Sequence, residues 1–244
     1  MFMYVISKKS SLRRIFQKKN MQAVILAGGK GTRLGALTMD MPKPMVIING
    51  KPFLEHLILN LRKNEICDIL ICTGYMSGKI EDYFNDGSGF GIEIKYSIER
   101  ELLGTGGALK NAEKFLKEYF VLLNGDTYLP IDYKDLMGNF KAQGRLGMSV
   151  VRNAELKNGN MSISNNLVTR YDKKAGNMDF TDAGVQAFRK GVLRFIPQGT
   201  AVSLEEDIFP RLIKKKQLAA YVTKISFHDM GTMEGLILLK RILK

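Results

Sequence analysis

Residues 22–34 read QAVILAGGKGTRL, and this stretch predicts a buried β-strand that runs directly into a glycine-rich turn. Its uninterrupted apolar start is typical of a strand that is covered on both faces of a parallel sheet. The turn contains Gly28, Gly29 and Gly31, and glycines allow backbone N–H groups to approach an anion closely. It lacks the third glycine of a dinucleotide-binding fingerprint and the Gly-Lys-Ser/Thr ending of a P-loop. The stretch is therefore a candidate phosphate cradle, with a purely structural turn as the alternative.

Outward from this strand, apolar runs alternate with amphipathic segments, which predicts an α/β protein with a mostly parallel central sheet. The predicted strands cover residues 22–28, 68–74, 92–99, 119–126, 146–151, 160–163, 167–171, 182–188 and 218–225. The predicted helices cover residues 51–64, 77–85, 106–117, 133–143 and 203–216, with a last one from Met233. The run 119–126 is the most apolar in the chain, so we expect it to be a central strand. The short strands after residue 160 indicate a substrate-binding portion added to one core sheet, so we expect residues 21–244 to form a single domain.

The chain of 244 residues carries 37 Lys and Arg against 24 Asp and Glu, which gives a formal charge of +13. Its length and its hydrophobic fraction of 45% indicate a globular protein and argue against a solenoid, a collagenous chain or a wholly disordered one. Residues 1–20 hold six of the basic residues and no acid, so we expect a mobile basic leader or an over-extended start before the fold. The charge fits nucleic acid or phosphate-rich small molecules. No apolar run is long enough for a membrane span or a secretory signal, so we expect no membrane partner.

Cysteine and histidine are scarce in this chain, which contains only Cys67, Cys72, His56 and His228. These residues are too few for a disulfide framework or a structural zinc site. We therefore expect reduced thiols and a cytoplasmic location.

Two aspartates are candidate magnesium ligands. Asp126 ends the motif Asn-Gly-Asp at the carboxyl end of the predicted central strand, which is the edge where open α/β sheets bind ligands. Asp229 lies in FHDMGT, residues 227–232, at a predicted strand-to-helix junction. Mg²⁺ is commonly bound by one or two carboxylates together with substrate phosphates and water. The spacing does not show that the two aspartates meet, and for either of them alone a turn or a helix cap is the simpler explanation.

Three further segments are candidate binding elements. Pro42-Lys43-Pro44 restricts the backbone around a lysine, although such a segment is also common in surface turns. The turn GTGGA, residues 104–108, opens a predicted helix with free N–H groups and a small surface where a ring could pack, or it serves only close packing of the helix start. Lys173 and Lys174 follow a short predicted strand, where they could grip a phosphate or lie in a solvated turn.

Together these motifs resemble the sugar-1-phosphate nucleotidyltransferase family, over nearly all of residues 21–244. The matching motifs, in order, are LAGGKGTRL (26–34), PKP (42–44), Glu99, LGTGGAL (103–109), NGD (124–126), DAGV (182–185), SLEEDIFPRL (203–212) and FHDMGT (227–232). The resemblance implies a single Rossmann-like domain of the glycosyltransferase A type, with a mixed, mostly parallel central sheet and helices on both faces. It also implies transfer of a nucleoside monophosphate to a sugar 1-phosphate with release of pyrophosphate. The GTGGA turn and the compact ending are most similar to heptose- or mannose-1-phosphate guanylyltransferases, which makes GTP the expected nucleotide.

The resemblance also implies roles for the residues on the nucleotide side. The loop residues expected to hold the nucleotide are Leu26, Ala27, Gly28, Gly29, Gly31 and Thr32. The charged residues expected to neutralise the phosphates during catalysis are Arg33 and Lys43, together with the Mg²⁺ held by Asp126 and Asp229. The residues expected to face the base are Glu99, Gly104 and Thr105.

On the sugar side, family members place a Glu-Lys pair where this chain has YDKK, residues 171–174, with the lysine on the sugar phosphate. Either Asp172 and Lys173 match the pair, or Lys174 takes the place of the lysine and the glutamate is missing. Both lysines are therefore candidate sugar-phosphate ligands.

The Asn-Ala-Gly motif of relatives is Asp182-Ala183-Gly184 in this chain, which implies that Asp182 and Gly184 lie by the sugar. The expected partners are a nucleoside triphosphate and a sugar 1-phosphate, with a homodimer as a further option.

The implied reaction brings two anions together, so positioning and charge neutralisation matter more than proton transfer, and we assign no general base. A non-catalytic module of the same fold is the main alternative, although intact Arg33, Lys43, Asp126 and Asp229 argue against a decayed site. The hypothesis of a nucleic-acid-binding protein rests only on the high net charge and on the basic leader at residues 1–20. A glycosyltransferase with an Asp-X-Asp motif would need a second acid near Asp126, which the Asn-Gly-Asp motif lacks.

Overall fold

A computed structural model describes residues 21–29, 31–154 and 158–243, with the backbone alone described at residues 32, 33 and 36. The basic leader expected at residues 1–20 lies outside the described residues. Within the described part, no helix is long and apolar enough to cross a membrane.

The centre of the fold is a nine-stranded mixed sheet with the strand order β5-β4-β1-β6-β11-β8-β12-β10-β9. Its strands are β1 (Gln22–Leu26), β4 (Asp68–Thr73), β5 (Glu93–Ile98), β6 (Tyr119–Asn124), β8 (Gly147–Asn153), β9 (Met161–Ser164), β10 (Leu167–Tyr171), β11 (Phe180–Arg189) and β12 (Leu218–Thr223). Two small pairs lie outside it, formed by β2 (Ile47–Ile48) with β3 (Lys51–Pro52) and by β7 (Thr127–Tyr128) with β13 (His228–Asp229).

Most strands of the large sheet run in one direction. β5, β4, β1 and β6 are parallel neighbours, and β8 is parallel to β12. β11 is antiparallel to both β6 and β8, and β10 is antiparallel to both β12 and β9. Only β11 and β10 therefore oppose the other seven strands, so the carboxyl ends of β1 and β6 share one edge with the end of β8.

Alternating side chains of the strands enter two separate cores. In β1, Ala23 and Ile25 pack into one apolar cluster and Val24 packs into the other, as the two-residue period of a strand requires. Helices α1 (Phe53–Lys63), α2 (Ser77–Phe84), α4 (Tyr133–Gln143) and α6 (Met233–Ile242) contribute to the first cluster. Helices α3 (Gly104–Asn111) and α5 (Phe209–Lys214) contribute to the second. The predicted α/β fold with helices on both faces is confirmed.

The structure corrects three of the predicted elements. The predicted short strand 182–188 is β11, which has ten residues and lies in the middle of the sheet beside β6. The helix predicted over 106–117 starts at Gly104 and ends at Asn111, and a short 3₁₀ turn follows it. The helix predicted over 203–216 is divided into a wide π turn, Leu204–Ile208, and α5. Pro210 lies at this division, where the missing N–H of proline removes one regular helical hydrogen bond.

Candidate active site

A cleft of about 800 Å³ opens at the sheet edge where β1 and β6 end. Its lining contains most of the site residues that the sequence predicts: Leu26, Ala27, Gly28, Gly29, Gly31, Lys43, Glu99, Gly104, Thr105, Asp126, Lys173, Asp182, Gly184 and Asp229. This edge is where parallel strands expose their carboxyl ends, and α/β proteins commonly bind ligands there.

A backbone hydrogen bond and a close contact fix the path of the glycine-rich turn that follows β1. The N–H of Ala27 donates to the carbonyl oxygen of Cys72 at 2.8 Å, which extends the pairing of β1 with β4 by one residue. Gly31 has a φ of +66°, and a Cβ at this position would lie 2.7 Å from the Cβ of Lys43. A larger residue would therefore be strained and would displace the lysine, so the glycine at position 31 brings the turn against Lys43.

The next residues of the turn, Thr32 and Arg33, begin a 3₁₀ segment that ends at Thr38. The side chains of Thr32 and Arg33 lie outside the described part of the structure. Their expected contacts with the triphosphate therefore stay predictions.

Lys43 and Asp126 form an ion pair inside the cleft. Lys43 lies in a 3₁₀ turn directly after Pro42, and this turn buries it to 7% exposure. Its Nζ donates to Oδ2 of Asp126 at 2.5 Å. Since the two residues are 83 positions apart, only the fold brings this cation and this carboxylate together. The pair supplies a buried positive charge beside a carboxylate whose second oxygen, Oδ1, has a single partner among the described residues, Thr127 Oγ1 at 3.2 Å.

The second candidate magnesium ligand is brought to Asp126 by the pairing of β7 with β13. In this pairing Asp229 lies opposite Thr127, and the N–H of Met230 donates to the carbonyl oxygen of Asp126 at 3.0 Å. Oδ1 of Asp229 accepts the N–H of Gly231 at 2.7 Å, which orients a side chain that is otherwise exposed in the cleft. The two carboxylates therefore line one cleft, which their separation in the sequence does not indicate.

These two carboxylates suit Mg²⁺ by their chemistry, because its usual ligands are one or two carboxylates, phosphate oxygens and water. Among the described residues, no group of three or more His, Cys, Asp or Glu side chains forms a metal cage. The donor set thus fits an ion whose remaining ligands come from a substrate and from water.

Glu99 supplies a buried carboxylate at the other side of the glycine turn. It is 8% exposed, and its Oε2 accepts the N–H of Leu103 at 2.9 Å. Burial raises the pKa of Glu99, and the bond from Leu103 opposes that rise. Its Oε1 lies 3.2 Å from the position that a Cβ on Gly28 would take, so the carboxylate lies directly beside the loop.

The second glycine-rich turn is used for close packing. The N–H groups of Gly106 and Gly107 both donate to the carbonyl oxygen of Val202, at 2.8 and 3.2 Å. A Cβ on Gly104, whose φ is +69°, would lie 2.6 Å from the same oxygen. The sequence left open whether this turn offers free N–H groups or packs tightly, and at Gly106 and Gly107 the structure shows the second alternative. Gly104 and Thr105 nevertheless line the cleft.

Asp182 lies at the far end of the cleft, on the central strand β11. Its Oδ1 accepts hydrogen bonds from Ser149 Oγ at 3.1 Å, the N–H of Gly184 at 3.2 Å and Gln186 Nε2 at 3.2 Å. Burial and the nearby charge of Glu205 raise the pKa of Asp182 to about 7, against an ordinary value of 3.8. A carboxylate held under such repulsion is typical of functional sites.

Only one of the two candidate lysines reaches the cleft. Lys173 is among the lining residues, and its Nζ is 3.7 Å from Oε1 of Glu206. Lys174 is not among the lining residues, and its backbone N–H donates to Oδ1 of Asp172 in an exposed turn. Of the two alternatives that the sequence left open, the geometry therefore favours Lys173.

The cleft also contains residues to which sequence reasoning assigned no role. Glu205 and Tyr171 stand in motifs that the sequence analysis singled out, but nothing local marks their side chains as facing a ligand. No local sequence pattern marks Asn160, because its contact is a tertiary one. Its Oδ1 accepts the N–H of Asp182 at 2.9 Å.

Known proteins with the same pattern are nucleotide-sugar enzymes. Residues 22–243 match the family model described as nucleotidyl transferase. A D-glycero-alpha-D-manno-heptose 1-phosphate guanylyltransferase of Campylobacter jejuni is 50% identical over 119 residues, which are 49% of this chain and 53% of that protein. The protein of the same name from Aneurinibacillus thermoaerophilus is 33% identical over 219 residues, which cover 86% of this chain and 93% of that protein.

A solved structure shows the same fold. The crystal structure of HddC from Yersinia pseudotuberculosis complexed with GMP-PN has a TM-score of 0.78 and 30% identity to this chain. The match covers 91% of this chain and 99% of that one.

Proposed function

Because the chain belongs to the nucleotidyl transferase family, as its ordered motifs predict, we propose that it joins a nucleoside monophosphate, taken from GTP, to heptose or mannose 1-phosphate. The products are a nucleotide sugar and pyrophosphate. The observation that carries this proposal is one cleft in which the glycine turn, the Lys43–Asp126 pair and Asp229 meet. No finding favours the alternative of a non-catalytic module.

The chemistry requires two phosphate groups to approach each other. A phosphate oxygen of the sugar 1-phosphate forms a bond to the α-phosphorus of the nucleotide, and the bond from that phosphorus to the pyrophosphate breaks. The attacking oxygen carries no proton that must be removed, so no general base is needed. The backbone N–H groups of the glycine turn hold the triphosphate, and Arg33 neutralises the departing pyrophosphate.

Lys43 is the central cation of the proposed mechanism. Its charge is balanced by Oδ2 of Asp126 at 2.5 Å. A bound triphosphate offers Lys43 a second anionic partner, so we expect the ammonium group to exchange Asp126 for a phosphate oxygen.

Asp126 and Asp229 would hold Mg²⁺. When bound, the ion neutralises nucleotide oxygens and makes the α-phosphorus more electrophilic. Asp126, directly before β7, and Asp229, on β13, would be its protein ligands, and they would orient the phosphates relative to Lys43.

The choice of guanine rests on Glu99. A carboxylate only accepts hydrogen bonds, and guanine is the common base with two adjacent donors, N1–H and N2–H, on one edge. Glu99 has one oxygen tied to Leu103 and the other beside Gly28, so it presents an acceptor at the loop. The GMP-PN complex of HddC supports this choice.

At the opposite end of the cleft, we propose that Lys173 binds the sugar phosphate, with Asp182 and Gly184 beside the sugar.

The cysteines Cys67 and Cys72 are free thiols, in keeping with the proposed cytoplasmic location. A homodimer stays a prediction.

The proposal is tested by pyrophosphate release with Mg²⁺, over four nucleoside triphosphates and a panel of sugar 1-phosphates that includes mannose and D-glycero-D-manno-heptose. A signal that needs both substrates and is strongest with GTP is expected. Asp126→Ala should lower turnover at least about a hundredfold, and Glu118→Gln, remote from the cleft, should not. A preference for CTP or UTP would overturn the guanylyl assignment. Silence over the whole grid, with nucleotide binding intact, would overturn transfer and favour the non-catalytic module.

A further inference from the structure

The phosphate-binding loop, which we define as residues 28–40, begins and ends beside the same short segment of the chain. This segment, residues 74–79, follows β4 and enters α2. The N–H of Tyr75 donates to the carbonyl oxygen of Gly28 at 3.3 Å. The phenol hydroxyl of Tyr75 donates to the carbonyl oxygen of Met39, also at 3.3 Å. One tyrosine therefore contacts both ends of the loop.

Lys79 adds a second contact at the far end of the loop. Its Nζ donates to the carbonyl oxygen of Asp40, the residue after Met39. Met39 is 68% exposed and Asp40 is exposed as well, so burial in the apolar core does not hold this part of the chain. The bonds from Tyr75 and Lys79 connect it to α2 instead.

The middle of the loop is held from the inside. The hydroxyl of Thr38 lies 3.1 Å from the carbonyl oxygen of Gly31 and 3.2 Å from that of Gly35. The N–H of Leu34 donates to the carbonyl oxygen of Gly31 at 3.1 Å, and both Leu34 and Thr38 are buried. The backbone of Arg33 lies between these contacts, so its position depends on how the whole loop is held.

The segment that holds the loop has a strained backbone at Met76. This residue has a φ of +53° and a ψ of 39°, in the left-handed region that residues with a side chain adopt rarely. The N–H of Ser77 donates to the carbonyl oxygen of Gly74 at 3.2 Å, and the N–H of Lys79 donates to that of Met76 at 3.1 Å. Strain of this kind persists where neighbouring contacts fix it, and it is commonest at functional sites.

We propose that Tyr75 and Lys79 are positioning residues for nucleotide binding, which hold the phosphate-binding loop in the shape that accepts a triphosphate. This inference rests on the proposed function. A loop that becomes ordered only when the nucleotide binds loses conformational entropy at that step, whereas a loop held at both ends has already lost much of it on folding. Both side chains bond to backbone carbonyl groups of the loop, so they act on the triphosphate through the loop.

The test uses Tyr75→Phe, Lys79→Met and the double variant. Phenylalanine keeps the ring and the backbone N–H that bonds to Gly28, and methionine keeps most of the aliphatic chain of the lysine, so the variants should fold. Titration calorimetry with GTP and Mg²⁺ should show Kd raised roughly threefold in each single variant and roughly tenfold in the double variant, because one hydrogen bond is lost at each position. Lys79→Arg, which keeps a donor, should restore most of the affinity.

Kinetics distinguish positioning of the nucleotide from a general loss of function. KM for GTP should rise together with Kd, while kcat and KM for the sugar 1-phosphate should change less than about twofold, because the lost contacts support ground state and transition state alike.

The chain offers a matched control for each substitution. Tyr96→Phe removes a bond from a tyrosine hydroxyl to the carbonyl oxygen of Asn85, at 2.7 Å, where α2 ends. Lys190→Met removes a bond from a lysine Nζ to the carbonyl oxygen of Leu116, at 3.1 Å. Neither bond touches the phosphate-binding loop, so both controls should bind GTP as wild type does.

Hydrogen exchange followed by mass spectrometry reads the loop itself. Peptides within residues 31–41 should exchange faster in the double variant than in wild type, while peptides from β1 and β6 should keep their rates. Faster exchange throughout the protein would show a general loss of stability and would overturn the inference.

An unchanged Kd for GTP in the double variant, or an equal rise in Tyr96→Phe and Lys190→Met, would also overturn the inference, while transfer by the wild type would keep the proposed function. If the wild type binds GTP but transfers to no sugar 1-phosphate, the proposed transfer fails, and the Kd values still decide whether Tyr75 and Lys79 position the loop.

Discussion

Asp182→Asn should make the substrate-free protein more stable near pH 8, with a gain that shrinks toward pH 5. Burial and Glu205 raise the pKa of Asp182 to about 7 from an ordinary 3.8. The folded state therefore binds this proton more tightly than the unfolded state does. Stability is lost as pH rises from the unfolded pKa through the folded one, and asparagine removes that loss because it does not ionise.

The magnitude follows from the two pKa values. A difference of about three pH units corresponds to about 4 kcal/mol in full. Integrated between about pH 5 and about pH 8, the part that develops is about 3 kcal/mol, and water entering the open cleft should reduce it to about 1–2 kcal/mol. The fixed hydrogen bonds to Oδ1 survive in the variant, so the pH-dependent part should be visible above any constant offset.

The assay is reversible urea unfolding of wild type and variant at several pH values in this range. The free energy of unfolding of Asp182→Asn should rise relative to wild type as pH increases. Glu118→Gln, at an exposed position, should keep a constant difference from wild type. A difference between Asp182→Asn and wild type that stays the same from about pH 5 to about pH 8 would refute the reasoning.

Further predictions concern the phosphates, the base, the metal and the packing. Arg33→Ala and Lys43→Met should each lower kcat at least about a hundredfold in the pyrophosphate assay, and near-normal turnover would contradict their roles. Glu99→Gln should lower kcat/KM for GTP roughly tenfold but leave CTP almost unaffected, whereas equal losses would contradict base recognition. Removal of divalent ions with a chelator should abolish turnover, added Mg²⁺ should restore it, and activity that survives the chelator would rule out the metal site. Gly104→Ala should lower the free energy of unfolding by about 2 kcal/mol or more, because a Cβ would lie 2.6 Å from a carbonyl oxygen at a φ of +69°. Gly138→Ala, in an exposed helical position with open space around it, is the control and should stabilise slightly, as measured by urea unfolding.

Elements with strong local patterning were predictable. The helix predicted over 133–143 is α4 with the same bounds, where Asp132 caps its first turn by accepting the N–H groups of Lys134 and Asp135. The apolar run that starts at residue 119 is a buried interior strand, as its composition predicts. Burial, capping and period are properties of a short stretch, so a single sequence contains them.

Elements whose role depends on distant partners were mispredicted or left between two alternatives. β11 was expected to be a short strand in an added portion, but it pairs with both β6 and β8 at the sheet centre. The sequence left two interpretations of the turn at residues 104–107. The structure decides between them at Gly106 and Gly107, whose N–H groups donate to Val202, about a hundred residues away. Neither partner is visible in the local pattern.

The sequence by itself determined the alternation of strands and helices, the glycine turn after β1 and the types of charged residue that the chemistry needs. Only the tertiary structure decided that Lys43 pairs with Asp126, that Lys173 rather than Lys174 reaches the cleft, and that Asp182 and Glu205 line the same cleft. The physical reason is one of range. Backbone preferences and hydrophobic periodicity act over a few residues, whereas hydrogen bonds and charges in a cleft join side chains that only the strand order brings together.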